Sequence, residues 1–137
     1  MLLYDDTAAK RGAQTEADGE RMAEFSLVEI WRPRPEWHEL TQAQKKEFQA
    51  AAQAVLQTLF SKGAKLLGIH RCRALSEGGW DVFAYWQMPN MDLVVELSER
   101  LEKVGWNRYF EQLNYVGKTI TAEEYSASLL DGPEASR

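Results

Sequence analysis

The chain has 137 residues, 45% of them apolar and 27% charged, which is room for one ordinary globular domain with a sizeable core. A net charge of −5 argues against nucleic acid or an anionic membrane surface as partner, because phosphate binding needs a clustered Lys/Arg footprint. The lone cysteine, Cys72, excludes an intrachain disulfide and a Cys-based metal site, and fits a reducing cytoplasm.

Residues 1–22 are polar and mixed in charge, with no sustained period, and read as a flexible N-terminal extension. They lack the basic-then-apolar order of an export signal, and no stretch of the chain has the apolar length of a membrane helix. Met22, directly before the first periodic segment, is a candidate start of the protein. Residues 23–130 carry the periodic segments and form the predicted domain, and residues 131–137 read as a flexible tail.

Phe25 to Trp31 alternates Phe25, Leu27, Glu29 and Trp31 on one face with Ser26, Val28 and Ile30 on the other. Both faces are largely apolar, which predicts a central strand, ended by Pro33 and Pro35. Trp37, His38 and Leu40 suggest a single helical turn in the connection. Thr41-Gln-Ala-Gln44 is a capping box opening a helix over Gln42–Lys62, with Phe48, Ala51, Ala52, Val55, Leu56 and Leu59 as its apolar stripe and Gly63 as its stop. Lys65–Arg73 and Trp80–Gln87 read as two strands joined through Ser76-Glu-Gly-Gly79. The Gly pair lacks the pattern of a phosphate loop and joins strands, so it is a turn.

Asn90 is placed to cap a second helix over Met91–Val104, with Leu93, Val94, Leu97 and Leu101 as its buried stripe. Gly105 ends it, and Trp106-Asn-Arg-Tyr109 begins the return to a last strand over Glu111–Ile120. There Leu113, Tyr115 and Val116 break strict alternation. Thr121-Ala-Glu-Glu124 is a second capping box, ahead of a tail helix over Ala122–Leu130.

The order is β-α-β-β-α-β. It predicts an α+β, ferredoxin-like domain: a four-stranded antiparallel sheet with both helices on one face. The other face would carry aromatic strand residues and form a large exposed apolar patch. A homodimer with the two sheets facing each other is therefore expected.

That order and the aromatic second face resemble the dimeric α+β barrel superfamily, in an uncharacterised, antibiotic-biosynthesis-monooxygenase-like branch. The run Phe25-Ser-Leu-Val-Glu-Ile-Trp-Arg-Pro-Arg-Pro through Trp37 carries the likeness to the uncharacterised branches. The superfamily holds monooxygenases, haem-degrading enzymes, chlorite dismutase-like proteins and small isomerases. The resemblance covers roughly residues 25–120 and no catalytic motif of a named branch is matched, so it implies architecture and little chemistry.

Glu29, a carboxylate among apolar neighbours, is the first candidate catalytic residue: desolvation would raise its pKa toward neutrality, where it could move protons. A salt bridge to an arginine on a neighbouring strand, or a place at the sheet rim, is the alternative. His70, aligned with Gly68 and Leu66, is the second, as a general base or, less favoured, as an axial haem ligand. Its alternative is a histidine hydrogen-bonded at the dimer seam. His38 reads as solvated. Trp31, Tyr85 and Trp86 could line a pocket for a flat hydrophobic molecule or could simply pack a dimer core, and Tyr85 and Trp86 must face opposite ways. The resemblance adds Trp106 and Asn107, at the mouth of a possible barrel, as substrate contacts.

Together these residues suggest a cofactor-independent oxygenase, isomerase or cyclase acting on a hydrophobic or aromatic small molecule. The alternatives are a non-catalytic binding module and a structural dimer with a filled barrel. No metal site is predicted.

Overall fold

The computed structural model describes residues 25–73 and 77–131. The extension over 1–22, the candidate start at Met22, Ser76 of the hairpin loop and the end of the tail lie outside the described residues.

Strand β1 (Phe25–Pro33) leads through a helical turn, α1 (Pro35–His38), into the long helix α2 (Gln42–Ser61). Strand β2 (Lys65–Arg71), a 3-10 turn over Glu77–Gly79 and strand β3 (Val82–Met88) follow. Helix α3 (Met91–Lys103), a second helical turn, α4 (Trp106–Tyr109), strand β4 (Phe110–Lys118) and helix α5 (Ala122–Asp131) complete the fold. The sheet is antiparallel, in the order β2-β3-β1-β4, which is the ferredoxin-like arrangement. As the alternation implied, β1 is central.

The helix starts follow their local chemistry. Thr41 accepts the backbone N–H of Gln44, and the Gln44 side chain accepts the N–H of Thr41. The Asn90 side chain accepts the N–H of Leu93, and the Thr121 hydroxyl accepts that of Glu124. Gly63 and Gly105 follow α2 and α3 with φ of 102° and 95°, in the left-handed region where a Cβ is strained, so the chain turns there at least cost.

Two elements differ from their sequence reading. Trp106–Tyr109 is one turn of helix instead of an open return, because Arg108 N–H donates to Gly105 O and Phe110 N–H to Trp106 O. Strand β2 stops at Arg71, and a bulge between Leu66 and Gly68 shifts its pairing with β3. The bulge leaves Leu67 outside the regular ladder.

Pairing fixes the faces. Opposite residues of antiparallel strands share a face. Leu27 stands opposite Trp86 and Val116, and Glu29 opposite Ala84 and Asn114. Leu27, Ala84 and Trp86 lie in one buried cluster with Val55 and Leu59 of α2 and Leu93, Val94, Leu97 and Leu101 of α3. The helices therefore cover the face bearing Leu27, Glu29, Trp31, Trp86 and Gln112. Each fully buried side chain in this cluster contributes about 1.5–3 kcal/mol of hydrophobic stabilisation. The opposite face shows Phe83, Tyr85, Leu113 and Tyr115 to solvent, beside half-buried Val28 and Ile30.

Candidate functional site

Among the described residues, Glu29 is the one buried charged side chain, at 6% exposure. β1 places it at the centre of the sheet, under α3. Its carboxyl is held by two N–H donors: Trp86 Nε1 donates to Oε1 at 2.6 Å, and Gln112 Nε2 donates to Oε2 at 2.8 Å. The relay continues outward, since Gln112 Oε1 accepts the indole N–H of Trp106 at 2.7 Å and Gln112 Nε2 also reaches Asn114 Oδ1 at 2.6 Å. Among the described residues no Lys, Arg or His makes an ion pair with Glu29, so the arginine bridge weighed from sequence is absent there. Burial pushes its pKa above the usual carboxyl value, and the hydrogen bonds from Trp86 and Gln112 pull part of the way back.

The carboxyl opens onto a pocket of about 470 Å³ between the sheet and α3. Leu27, Val94, Leu97, Leu101, Trp106 and Phe110 form its apolar walls, and Glu29, Arg34, Ser98, Asn107, Gln112 and Asn114 its polar groups. The volume and the mixture suit a small-molecule site. Trp106 and Phe110 stack with centroids 4.4 Å apart, and Trp31 meets Trp106 edge-on at 5.8 Å. On the far side of Trp106 and Phe110, a more open apolar groove of about 540 Å³ runs along Trp37, Phe48, Ala52 and Leu56.

The structure thus brings together Glu29, Trp86, Trp106 and Asn107 of the sequence candidates, with Trp31 packed behind Trp106. It does not bring His70 or Tyr85 to them. His70 is exposed on the other face, stacked on Phe83 at 4.8 Å. The space beside Gly68 is filled by the His70 ring itself: a Cβ at Gly68 would fall 2.6 Å from His70 Nε2. Tyr85 also faces outward, with its hydroxyl 3.3 Å from Ser26 Oγ. The cavity therefore lies on the helix side of one sheet, not between two sheets, because Glu29 and Trp86 share the covered face.

Arg34, Phe110, Gln112 and Asn114 went unnoticed in the sequence. Phe110, Gln112 and Asn114 alternate on the covered face of β4, and Asn114 sits opposite Glu29. That period of two was the available signal.

With this geometry in place, comparison decides the family. The chain belongs to a family of unknown function, DUF6616, which matches residues 24–131. No curated protein matches it significantly. Among solved structures, the DUF6616 chain is similar to a variant of chlorite dismutase from Candidatus Nitrospira defluvii, at 16% identity and a TM-score of 0.61, covering 74% of this chain and 42% of that one. A second variant of the same enzyme matches at 17% identity and a TM-score of 0.62, over 89% and 53% of the two chains. The same enzyme in complex with imidazole matches at 13% and 0.58, again over 89% and 53%. The DUF6616 chain spans about half the length of these proteins, and at such identity the likeness is one of fold.

Chlorite dismutase-like proteins make haem the group to test against this pocket. Its lining supplies carboxylate, amide, hydroxyl, guanidinium and indole groups, but no imidazole or thiolate. His70, the sequence candidate for that ligand, is on the opposite face of the sheet. These residues do not fit a haem ligated through His70 in this pocket. Among the described residues no cluster of three or more His, Cys, Asp or Glu forms a metal site, and no helix is long and apolar enough to cross a membrane.

Proposed function

We propose that this DUF6616 protein is a small cytoplasmic enzyme that uses no cofactor and moves a proton on a hydrophobic or aromatic molecule, as an isomerase, cyclase or oxygenase would. Glu29 is the proton carrier. One observation carries the reading: a buried carboxyl, clamped by two N–H donors and in no ion pair among the described residues, opens onto a pocket of small-molecule size. Trp86 and Gln112 each occupy one lone pair of Glu29 and aim the carboxyl. Its raised pKa brings the proton-accepting range closer to neutrality, where a general acid or base works best. Trp106 and Phe110 offer flat apolar surface for a ring, and Asn107 a polar contact at the rim.

The working unit in this reading is a homodimer. Val28, Ile30, Phe83, Tyr85, Leu113 and Tyr115 make one apolar sheet face, and a second copy set against it would remove that surface from water. His70 and Tyr85 then belong to the seam and not to the chemistry.

A binding module without turnover is the second reading. It is favoured by the lack of a second proton-transfer group, such as a histidine, in the pocket lining. One experiment separates the two. Wild-type protein and Glu29→Gln are each incubated with a bacterial metabolite extract, and consumption and retention are followed by mass spectrometry. Catalysis predicts a metabolite consumed by the wild type, and retained but unconverted by Glu29→Gln. A ligand held unchanged by both proteins would leave the binding module.

A further inference from the structure

Arg34 has no part in the proton chemistry, yet it stands in the wall of the pocket. It follows Pro33, the last residue of β1, and is fixed there twice by the end of the α4 turn. Its backbone N–H donates to Tyr109 O at 2.7 Å, and its Nε donates to Asn107 O at 3.0 Å. The terminal guanidinium nitrogens make no hydrogen bond among the described residues. Glu111, a carboxylate that feels its charge, is already engaged at 2.9 Å by Arg32. Arg34 is therefore a held cation with its bidentate end unspent, the geometry that suits a carboxylate.

The pocket is also polarised along its length. Glu29 sits midway along β1, and Arg34 lies beyond the strand's end, so the two charged groups stand apart in the lining. Leu97, Leu101 and Phe110 belong to the same wall. An anionic group on the ligand is repelled from the Glu29 end and attracted to the Arg34 end, which sets a single orientation.

We infer that the pocket takes a small apolar or aromatic carboxylic acid, with its carboxylate on the terminal nitrogens of Arg34, its body against Leu97, Leu101 and Phe110, and its far end presented to Glu29. The inference rests on the reading of this pocket as a ligand site and names the ligand's chemical class.

The test uses two matched probe pairs, 4-hydroxyphenylacetate with its primary amide, and 2-naphthylacetate with its amide. Each is titrated into the full chain by NMR, following the amide signals of Leu97 and Gln112. The acid of at least one pair is expected to bind about tenfold or more tightly than its amide, the effect of one charge-assisted bidentate contact. Arg34→Gln should abolish that preference, Arg34→Lys should restore part of it, and His70→Ala should leave it as in the wild type. If acid and amide bind equally at these signals, the acid assignment is overturned while the ligand site stands. An acid preference that survives Arg34→Gln overturns the role of Arg34. If no probe moves the Leu97 and Gln112 signals, the pocket reading falls with the inference.

Discussion

Replacing Trp86 with phenylalanine should make the stability of this protein depend more steeply on pH. Trp86 is 2% exposed and its indole N–H donates to Glu29 Oε1 at 2.6 Å. Phenylalanine keeps a ring in the core and removes that donor. The smaller ring costs roughly 1–2 kcal/mol at every pH, since the packing around Phe60 and Leu27 relaxes only in part. The lost hydrogen bond is worth about 1 kcal/mol when Glu29 is neutral and about 2 kcal/mol when it is charged. That difference of about 1 kcal/mol favours the neutral form and moves the Glu29 pKa further up.

The sign follows from linkage. The native carboxyl, raised by burial above the ordinary value of 4.5, holds its proton where the unfolded chain has released it. Its contribution is complete below the unfolded value and is lost as pH rises through the native one. Trp86→Phe moves the native value further up and enlarges that loss. Glu96 and Glu111, held below the usual range by Lys62 and Arg32 respectively, titrate on the acid side with the opposite sign and cancel in the comparison of the two proteins. Urea titrations between about pH 5 and about pH 8 should show a deficit of roughly 2–3 kcal/mol growing by about 1 kcal/mol. A deficit that stays constant over that range would refute the account of Glu29 as a buried carboxyl supported by the indole.

Other outcomes follow from the two faces of the sheet. Gly68→Ala should turn the exposed His70 ring off Phe83 to make room for the new Cβ, so its effect on stability should differ in a His70→Ala background, as a thermal-denaturation double-mutant cycle would show. Ile30→Asp, on the face away from the helices, should convert the proposed dimer to a monomer in analytical ultracentrifugation, whereas a wild type already monomeric at micromolar concentration would remove the dimer from the proposal.

The arrangement of elements was legible because each switch of hydrophobic period coincides with a cap or a breaker. Thr41, Gly63, Asn90 and Gly105 each stand where a helix begins or ends. Glu29 stood out as the single carboxylate in an apolar run. Which face of the sheet it occupied was not legible, since β1 is apolar on both faces and alternation alone does not say where the helices lie. Pairing settled that question, and it separated Glu29 from His70. β4 misled for a related reason. Its covered face carries Gln112 and Asn114 because it borders a polar pocket, while its open face carries Leu113 and Tyr115, so the usual pattern of apolar inside and polar outside is inverted. Arg34 sat beside a proline in a connection, where no periodicity points to it.

The bulge at Leu67 bears on how copies of this chain can meet. A sheet grows into a fibre when the edge of one copy continues the ladder of the next, head to tail, which requires two regular edges of different kind. Here one outer strand is β2, and the bulge between Leu66 and Gly68 breaks its register. The other edge, β4, is left with only another β4 as a regular match, and such a pairing is symmetric and closes on itself after two copies. The irregular residue thus takes away one of the two regular edges that head-to-tail continuation of the sheet would need, and leaves the broad apolar face as the surface by which copies can meet.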